Sequence, residues 1–276
     1  MQRPALIRRH SIWLPTAWGG LLAVGVATAT LFGAVAFALP RVHAFLAPDA
    51  PLGAEVAVVE GWMGPDELRA AVPILRAAGY RRIVTTGGRI PDWADRLGAA
   101  SYAELARQYL VEQGLAAEDV VAVAAPDSAQ DRTYLSAVYV RMWAQAQASP
   151  PRTIDVVSAG AHARRSWRLY ALAFGDAAQI GIRSIESTDY PPGAWWKTSA
   201  GSRVVLGEGI GWLWSVLFFH PPVQGGPEEL WGDPEAIQRW REAQAQAKAG
   251  GARPGDADAP SAVKAGAAAA AEPAAR

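Results

Sequence analysis

The stretch Val156–Ser166, VVSAGAHARRS, places a histidine and two arginines where an apolar run gives way to a helical pattern. The N-terminus of a helix is the positive end of its macrodipole, so Arg164 and Arg165 in a first turn are each disfavoured by up to about 1 kcal/mol. We therefore expect a negative partner nearby. A phosphate would accept hydrogen bonds from free helix N–H groups and from Arg165, with His162 as a general base. The alternative is that the arginines are solvated and His162 caps a turn.

Other polar or glycine residues follow the remaining apolar runs. Glu60 could orient a hydroxyl, bind a metal or act as a base, or it could simply be exposed. Gly87 and Gly88 either let the backbone approach a ligand closely or only make a tight turn. The candidate catalytic residues are His162 and Glu60, and the candidate phosphate-binding residues are Gly61, Gly87, Gly88, Arg132, Thr133, Ser158, Arg164 and Arg165.

Five short runs rich in β-branched residues are typical of strands, and turn residues bound them. Most are apolar on both faces, as buried parallel strands are. The predicted strands are EVAVVE (55–60), RIVTTGG (82–88), VVAVAA (120–125), TIDVVSAG (153–160) and IGIRSIE (180–186).

Helical patterns separate these runs. Ser101 and Glu104 predict a capping box at the start of a helix that ends at Gly114. Asp131 predicts an N-cap for the next helix, and Gly175 the end of the one after His162. This alternation predicts an α/β fold: a Rossmann-like, doubly wound, mainly parallel sheet in a three-layer α/β/α arrangement. In such sheets ligands bind outside the carboxyl ends of the strands, where all the candidate residues fall.

The N-terminal region contains an uncharged run, Gly19–Leu39. As a helix it would be about 31 Å long, which matches a bilayer core. Three arginines (3, 8 and 9) precede it, and the positive-inside rule then places the N-terminus in the cytoplasm. The alternative is a cleaved signal peptide, because AFA (36–38) and VHA (42–44) resemble cleavage sites. We favour the anchor because the run exceeds the usual apolar region of a signal peptide.

The C-terminal part contains two further segments of note. Val204–Phe219 is apolar, but Glu208 and its length of about 16 residues favour a packed or interfacial helix over a second span. From residue 243 the chain is rich in Ala, Pro and Gly, which predicts disorder. The expected organisation is a cytoplasmic segment (1–18), a transmembrane anchor (19–40), an α/β domain (50–222) and a disordered tail (243–276).

Composition excludes several classes of function. The 26 basic and 26 acidic residues balance, so nothing global favours nucleic-acid binding. There is no cysteine, and the four histidines lack metal-like spacing, so we expect no zinc site. P-loop, complete dinucleotide-binding and nucleophile-elbow motifs are missing from the sequence. Of the 12 tryptophans, those at 62, 93, 195, 196, 212 and 214 could stack on sugars or lie at a membrane interface, or be core residues.

Four motifs resemble those of the membrane-associated YdcF, SanA and ElyC family, in the same order and at similar spacing. They are VVEGWM (58–63), TGG (86–88), DRTYLSA (131–137) and VSAGAHARRS (157–166). The last is the most specific, because His162 and Arg165 are three apart after a strand. Glu60 and Trp62 stand where the family has glycines, and Asp131 and Arg132 also depart from its pattern, so the ligand could differ.

The resemblance implies a Rossmann-like domain and a role in the bacterial cell envelope, in peptidoglycan or surface-glycan metabolism. We expect an inner-membrane protein with one span and a periplasmic domain that binds or processes a phosphorylated, possibly lipid-linked, glycan precursor. A non-catalytic tethered binding or regulatory module and a binder of a nucleotide-type cofactor remain alternatives. The sequence identifies no cofactor.

Overall fold

A computed structural model describes residues 16–91, 98–128 and 130–230, together with 237, 238, 241, 242 and 245. The N-terminal arginines, Trp13, Trp93 and nearly all of the predicted tail lie outside the described residues. The chain divides into two compact units, Met1–Arg41 and Val42–Arg276. We call the second unit the body.

The first helix, α1 (Ala17–Leu46), contains the uncharged run found in the sequence. It begins two residues before that run and continues through Pro40 to Leu46. Among the described helices, α1 alone is long and apolar enough to cross a membrane. Its last residues, from Val42 onward, belong to the body.

The described part of the body forms a five-stranded, all-parallel sheet. Its strands are β1 (Val56–Glu60), β2 (Arg82–Gly87), β3 (Val120–Ala124), β4 (Thr153–Ala159) and β5 (Gln179–Ile185). The spatial order is β3-β2-β1-β4-β5, with Val58 of β1 opposite Val84 and Val156. The five predicted strands and the parallel α/β class are therefore confirmed.

Helices cover both faces of the sheet, because alternate residues of the central strand enter different cores. Val56 and Val58 pack in a cluster with α4 (Arg132–Gln145) and α5 (Ala163–Phe174). Ala57 and Val59 pack in another cluster with α2 (Pro65–Ala78) and α3 (Tyr102–Glu112). β1 and β4 are neighbours whose following helices, α2 and α5, lie on opposite faces, which opens a crevice at their carboxyl ends.

The helix ends test the local predictions. Ser101 accepts a hydrogen bond from the Glu104 N–H at 3.1 Å, but the Glu104 carboxylate binds the N–H of Ala100 rather than Ser101, so half of the predicted capping box is present. Gly114 follows α3 with φ of 88°, and the Leu115 N–H reaches back to the Leu110 carbonyl, a Schellman ending. Gly175 likewise caps α5, as predicted.

The last long helix, α6 (Ser199–Leu217), packs on α5 and starts five residues before the predicted apolar segment. Short 3-10 turns lie at Gly160–His162, Gly175–Ala177, Pro192–Lys197 and Pro227–Leu230. In the last turn Glu229 is buried and pairs with the buried Arg141 of α4 at 2.6 Å. The packed part of the body therefore extends past residue 222, where the α/β domain was predicted to end.

Candidate functional site

A cleft with a volume of about 920 Å³ lies at the carboxyl ends of the strands. Strand-end residues and the starts of α4 and α5 line one side, and α6 lines the other. Of the predicted site residues, seven contribute to its wall: Glu60, Gly87, Gly88, Arg132, Thr133, His162 and Arg165. Gly61, Ser158 and Arg164 do not line it.

The negative partner expected at the start of α5 is a side chain of the protein. The Arg165 guanidinium donates from Nε to Glu208 Oε2 at 2.8 Å and from Nη2 to Glu208 Oε1 at 3.1 Å. Gly211 lies on the same side of α6, where an added Cβ would stand 3.2 Å from Arg165 Cδ, so a glycine lets the two helices approach here. The ion pair with Glu208 compensates the cation at this helix N-terminus.

Glu208 is charged at neutral pH. Burial raises the pKa of its carboxyl, but the hydrogen bonds and charges of His162 and Arg165 outweigh burial and lower the pKa to about 2. Glu208 Oε1 lies 2.9 Å from His162 Nδ1. A charged carboxylate therefore fixes both the histidine and the arginine.

The neighbouring arginines of α5 hold other parts of the body. Arg164 donates to the Phe45 carbonyl and lies over the Phe45 ring, 4.0 Å from its centroid. Arg168 donates to the Ser215 carbonyl of α6 at 3.0 Å. The cations of this segment thus bind α6 and the residues that follow the apolar run, and Arg164 is placed away from the cleft.

The His162 ring is held between two acidic residues. A hydrogen on Nδ1 donates to Glu208, whereas a hydrogen on Nε2 points toward Glu60 Oε2, 3.8 Å away, and lets Nδ1 accept from Arg165 Nη2 at 2.9 Å. Both tautomers keep the ring in one orientation, and the edge of Trp62 packs against it at 4.5 Å between centroids. This arrangement can move a proton between the ring and the cleft.

The predicted base Glu60 is only 2% exposed, so it is not a solvated strand end. Its two carboxylate oxygens lie 2.9 and 3.0 Å from the Ser166 hydroxyl, and no arginine or lysine of the described residues pairs with it. Glu229 is equally buried but receives two hydrogen bonds from Arg141 and one from the Gly225 N–H. A buried carboxylate with so few partners is typical of a functional site.

Four buried polar atoms near the strand ends have no hydrogen-bond partner among the described residues. They are Thr86 Oγ1, Ser158 Oγ, His162 Nε2 and the Tyr190 hydroxyl. Thr86 and His162 line the cleft, and both are at least nine-tenths buried. Because unsatisfied buried polar atoms are costly, these atoms indicate a place where a bound molecule supplies the missing partners.

Among the described residues, no side chain caps the start of α4, and we call this the open start of α4. Asp131, predicted as its N-cap, occupies that position but has φ of 49° and makes no side-chain cap, so the prediction of its role was wrong. The first N–H groups of a helix have no partner within it, and the first turn of α4 holds no acidic residue. Arg132 and Thr133 stand at this start and line the cleft.

The glycines divide into packing and cleft positions. A Cβ on Gly61 would lie 2.3 Å from the Tyr102 carbonyl oxygen, and one on Gly87 would lie 2.8 Å from Tyr102 Cβ, so both allow close packing against the start of α3. A Cβ on Gly88 would meet only the Pro126 carbonyl, at 3.7 Å. Gly88 thus presents backbone to the cleft with space beside it.

Two tryptophans face the cleft as half-buried side chains, Trp62 and Trp214, each 43% exposed. Trp195, by contrast, is a core residue.

The sequence reasoning missed Glu208 and Ser166 as site residues. A signal for Glu208 existed, since a single carboxylate in an apolar helix with no cation three or four residues away requires a partner elsewhere.

The chain was compared with protein-family models, curated proteins and solved structures. None of them matches it. The geometry of the cleft therefore carries the functional argument. Within the part of the chain that the structure describes, no group of three or more histidine, aspartate or glutamate side chains could hold a metal ion.

Proposed function

We propose that this chain is a membrane-anchored cell-envelope protein whose body binds a phosphorylated glycan precursor in the cleft and processes it by proton transfer. The observation that carries this proposal is the meeting, in one cleft, of unpartnered His162 Nε2 and Thr86 Oγ1 with the buried Glu60 carboxylate and the open start of α4. These groups are the complement of a ligand with an anionic and a hydroxyl-bearing part.

The phosphate belongs at the start of α4. There the backbone N–H groups of Arg132 and Thr133, the Thr133 hydroxyl and the exposed Arg132 guanidinium can bind an oxyanion together. Arg165 is a weaker candidate because Glu208 already holds its Nε and Nη2. Acidic side chains such as Asp127 and Asp189 also line the cleft, so an anion is favoured locally and not over the whole wall.

The sugar part belongs near the tryptophans. Trp62 and Trp214 line the same cleft and keep part of their rings exposed. An aromatic ring offers a flat apolar surface with low conformational entropy, which suits the apolar face of a pyranose. A ligand with its phosphate at Arg132 and its sugar at the tryptophans would extend past Glu60 and His162.

His162 and Glu60 are the proposed catalytic residues. His162, oriented by Glu208, takes a proton from water or a ligand hydroxyl at Nε2. Glu60, held by Ser166, stabilises the His162 ring once it is charged. Where water supplies the proton, Glu60 also accepts a hydrogen bond from the second hydrogen of that water. Arg165 and Glu208 are positioning residues, since they act through His162.

The wider assignment to the YdcF, SanA and ElyC family and to a Rossmann-like fold is part of the proposal. It is supported by the parallel sheet with its reversal of strand order after β3, and by the four motifs, which all lie at carboxyl ends of strands or in the following helices. We place α1 in the bacterial inner membrane, with the N-terminus cytoplasmic and the body periplasmic.

A calorimetric titration of the full chain in detergent tests the proposal. The ligands are a soluble diphosphate-linked disaccharide, the same disaccharide without phosphate, and a nucleotide panel. We expect binding of the first ligand, about tenfold weaker binding by Arg132→Met, and no change in Arg152→Met, a matched exposed arginine that precedes β4 at the opposite edge of the sheet.

The outcomes separate the alternatives. No binding of the diphosphate compound by a folded wild type would contradict the proposal, and preference for a nucleotide would favour a nucleotide-type cofactor. If the ligand binds but wild type and Glu60→Gln both leave it unchanged after prolonged incubation, the body is a binding or regulatory module and not an enzyme.

A further inference from the structure

Helix α6 has an apolar side that the described part of the body leaves exposed. We define the apolar face of α6 as Leu206, Ile210, Leu213, Leu217 and Phe218, which are 49% to 69% exposed. The first four follow the spacing i, i+4, i+7, i+11, which places them on one side of a helix. A helix on the surface of a water-soluble body normally presents charged residues there.

The opposite side of α6 belongs to the body. Glu208 reaches His162 and Arg165, Ser215 is buried, and Val205 is buried. Every exposed residue of α6 between Leu206 and Leu217 is uncharged. The apolar face of α6 therefore lies next to the cleft wall, and Ile210 belongs to both.

The residues that follow the apolar run of α1 are fixed next to α6. The Phe45 ring packs edge-on against Trp212, with 4.9 Å between centroids. Leu46 is buried, and one of its methyl carbons would lie 3.9 Å from a Cβ on Gly209, so it packs against the backbone of α6. These contacts all lie within the body.

Chain length then limits how far α6 can be from the bilayer that holds the apolar run. The run ends at Leu39, and Leu46 already touches α6, so seven residues connect them. Fully extended, seven residues span at most about 25 Å. Chain length alone therefore keeps Leu46, and the helix that it contacts, within about 25 Å of the end of the apolar run.

We propose that the apolar face of α6 docks on the lipid surface of the bilayer in which α1 is anchored, as a second membrane contact of this protein. A row of exposed aliphatic side chains on one side of a helix can be buried at the boundary of headgroups and acyl chains. Phe218, which is 65% exposed, adds an aromatic ring to that row.

Docking of α6 on the bilayer implies that the ligand of the cleft is attached to a membrane lipid. Gly207, Glu208, Gly211 and Trp214 of α6 line the cleft, and Ile210 belongs both to the cleft wall and to the apolar face. The rim of the cleft therefore opens at the lipid surface, where a glycan diphosphate attached to a membrane lipid enters without leaving the bilayer. This step rests on the proposed function, whereas the docking itself rests on the anchoring by α1.

The chain has no cysteine, so single-cysteine variants can carry one fluorophore each. Leu206→Cys and Leu213→Cys place the probe on the apolar face, and Ile210→Cys is a further position if one of them fails to fold. Ala70→Cys is the matched control, since it is exposed on α2 at the opposite face of the sheet. Circular dichroism shows which variants are folded.

The full-length variants are placed singly in nanodiscs of phosphatidylethanolamine and phosphatidylglycerol. We expect doxyl-labelled lipid to reduce the emission of the α6 probes about twofold and aqueous iodide to have little effect, with the reverse for Ala70→Cys. Equal iodide quenching of all probes would overturn the docking. So would protection seen only with two copies per disc, because a second copy would then cover the face.

The readouts distinguish the anchoring by α1 from the docking of α6. Failure of the chain to co-elute with nanodiscs would overturn both the anchoring and the docking. Co-elution with water-exposed α6 probes would overturn the docking alone. Neither result depends on whether the cleft binds a diphosphate.

Discussion

Two helices start at the same edge of the sheet, and their starts are used differently. The start of α5 is rich in cations, and each of Arg164, Arg165 and Arg168 has a partner within the body. The start of α4 has one exposed arginine, an aspartate in a left-handed conformation and no side-chain cap. The helix with the stronger charge pattern is the one whose arginines already have hydrogen-bond partners within the body.

This difference shows that a cluster of cations does not by itself indicate an anion-binding site. At α5, Arg165 and Arg168 bind α6, and Arg165 also contacts His162, so Arg165 positions the proposed catalytic group. At α4 the missing cap leaves N–H groups for a ligand. Substitutions at the two starts should therefore separate stability from binding.

The largest expected effect is the loss of stability on replacing Arg165 by methionine. The substitution leaves the partly buried Glu208 carboxylate without its cation, which should lower the free energy of unfolding by about 2 to 3 kcal/mol. Urea denaturation of the full chain in detergent measures it. Arg152→Met, an exposed control, should change stability by less than about 0.5 kcal/mol. Equal losses in the two variants would show that the pair with Glu208 is unimportant.

The pH dependence of stability provides the next test. The pKa of Glu208 is lowered from 4.5 to about 2 in the folded body, so its stabilising contribution is complete above pH 4.5 and is lost as pH falls toward 2. We expect Glu208→Gln to be less stable than wild type by about 2 kcal/mol near pH 6, with the gap closing at low pH. A gap that does not change with pH would contradict a charged Glu208.

Arg132→Met should affect binding and leave stability unchanged. Arg132 is exposed and has the ligand as its proposed partner, so its loss should weaken binding of a diphosphate about tenfold while the unfolding free energy changes by less than about 0.5 kcal/mol. Titration and urea denaturation of the same preparation measure both. A loss of stability without a change in affinity would show that Arg132 stabilises the fold, as the arginines of α5 do, and does not bind the ligand.

The smallest effect concerns the backbone at the start of α4. A left-handed conformation costs an ordinary residue about 1 kcal/mol, and glycine avoids that cost. Asp131→Gly should therefore raise the free energy of unfolding by about 0.5 kcal/mol, and Asp131→Ala should lower it. Thermal unfolding of the three proteins in parallel measures the order. A glycine variant less stable than wild type would mean that the Asp131 side chain stabilises the fold.

Much of the fold follows from local sequence signals. Apolar runs bounded by turn residues gave five strands, and Gly114 and Gly175 marked helix ends, because these features depend on backbone conformation within a few residues. The strand-end position of Glu60 and His162 follows from the same patterns. Local sequence therefore predicts where the site lies.

The partners within the site depend on tertiary contacts. Arg165 and Glu208 are 43 residues apart, and although the local sequence shows that each needs a partner, it does not show which residue that partner is. Asp131 is ambiguous for a different reason, since aspartate is favoured both as an N-cap and in left-handed backbone. The burial of Glu60 depends on how α5 and Ser166 pack over β1, which no short segment determines.

The most direct test of the account is to locate a bound diphosphate by NMR. Methylenediphosphonate is titrated into the ¹⁵N-labelled, deuterated full chain in detergent, and the backbone amides of the two helix starts are compared. We predict that the amide signals of Arg132 and Thr133 shift with saturation while those of Ala163, Arg164 and Arg165 stay near their free positions. Saturable shifts confined to α5, or none at either start, would contradict the claim that the open start of α4 receives the ligand.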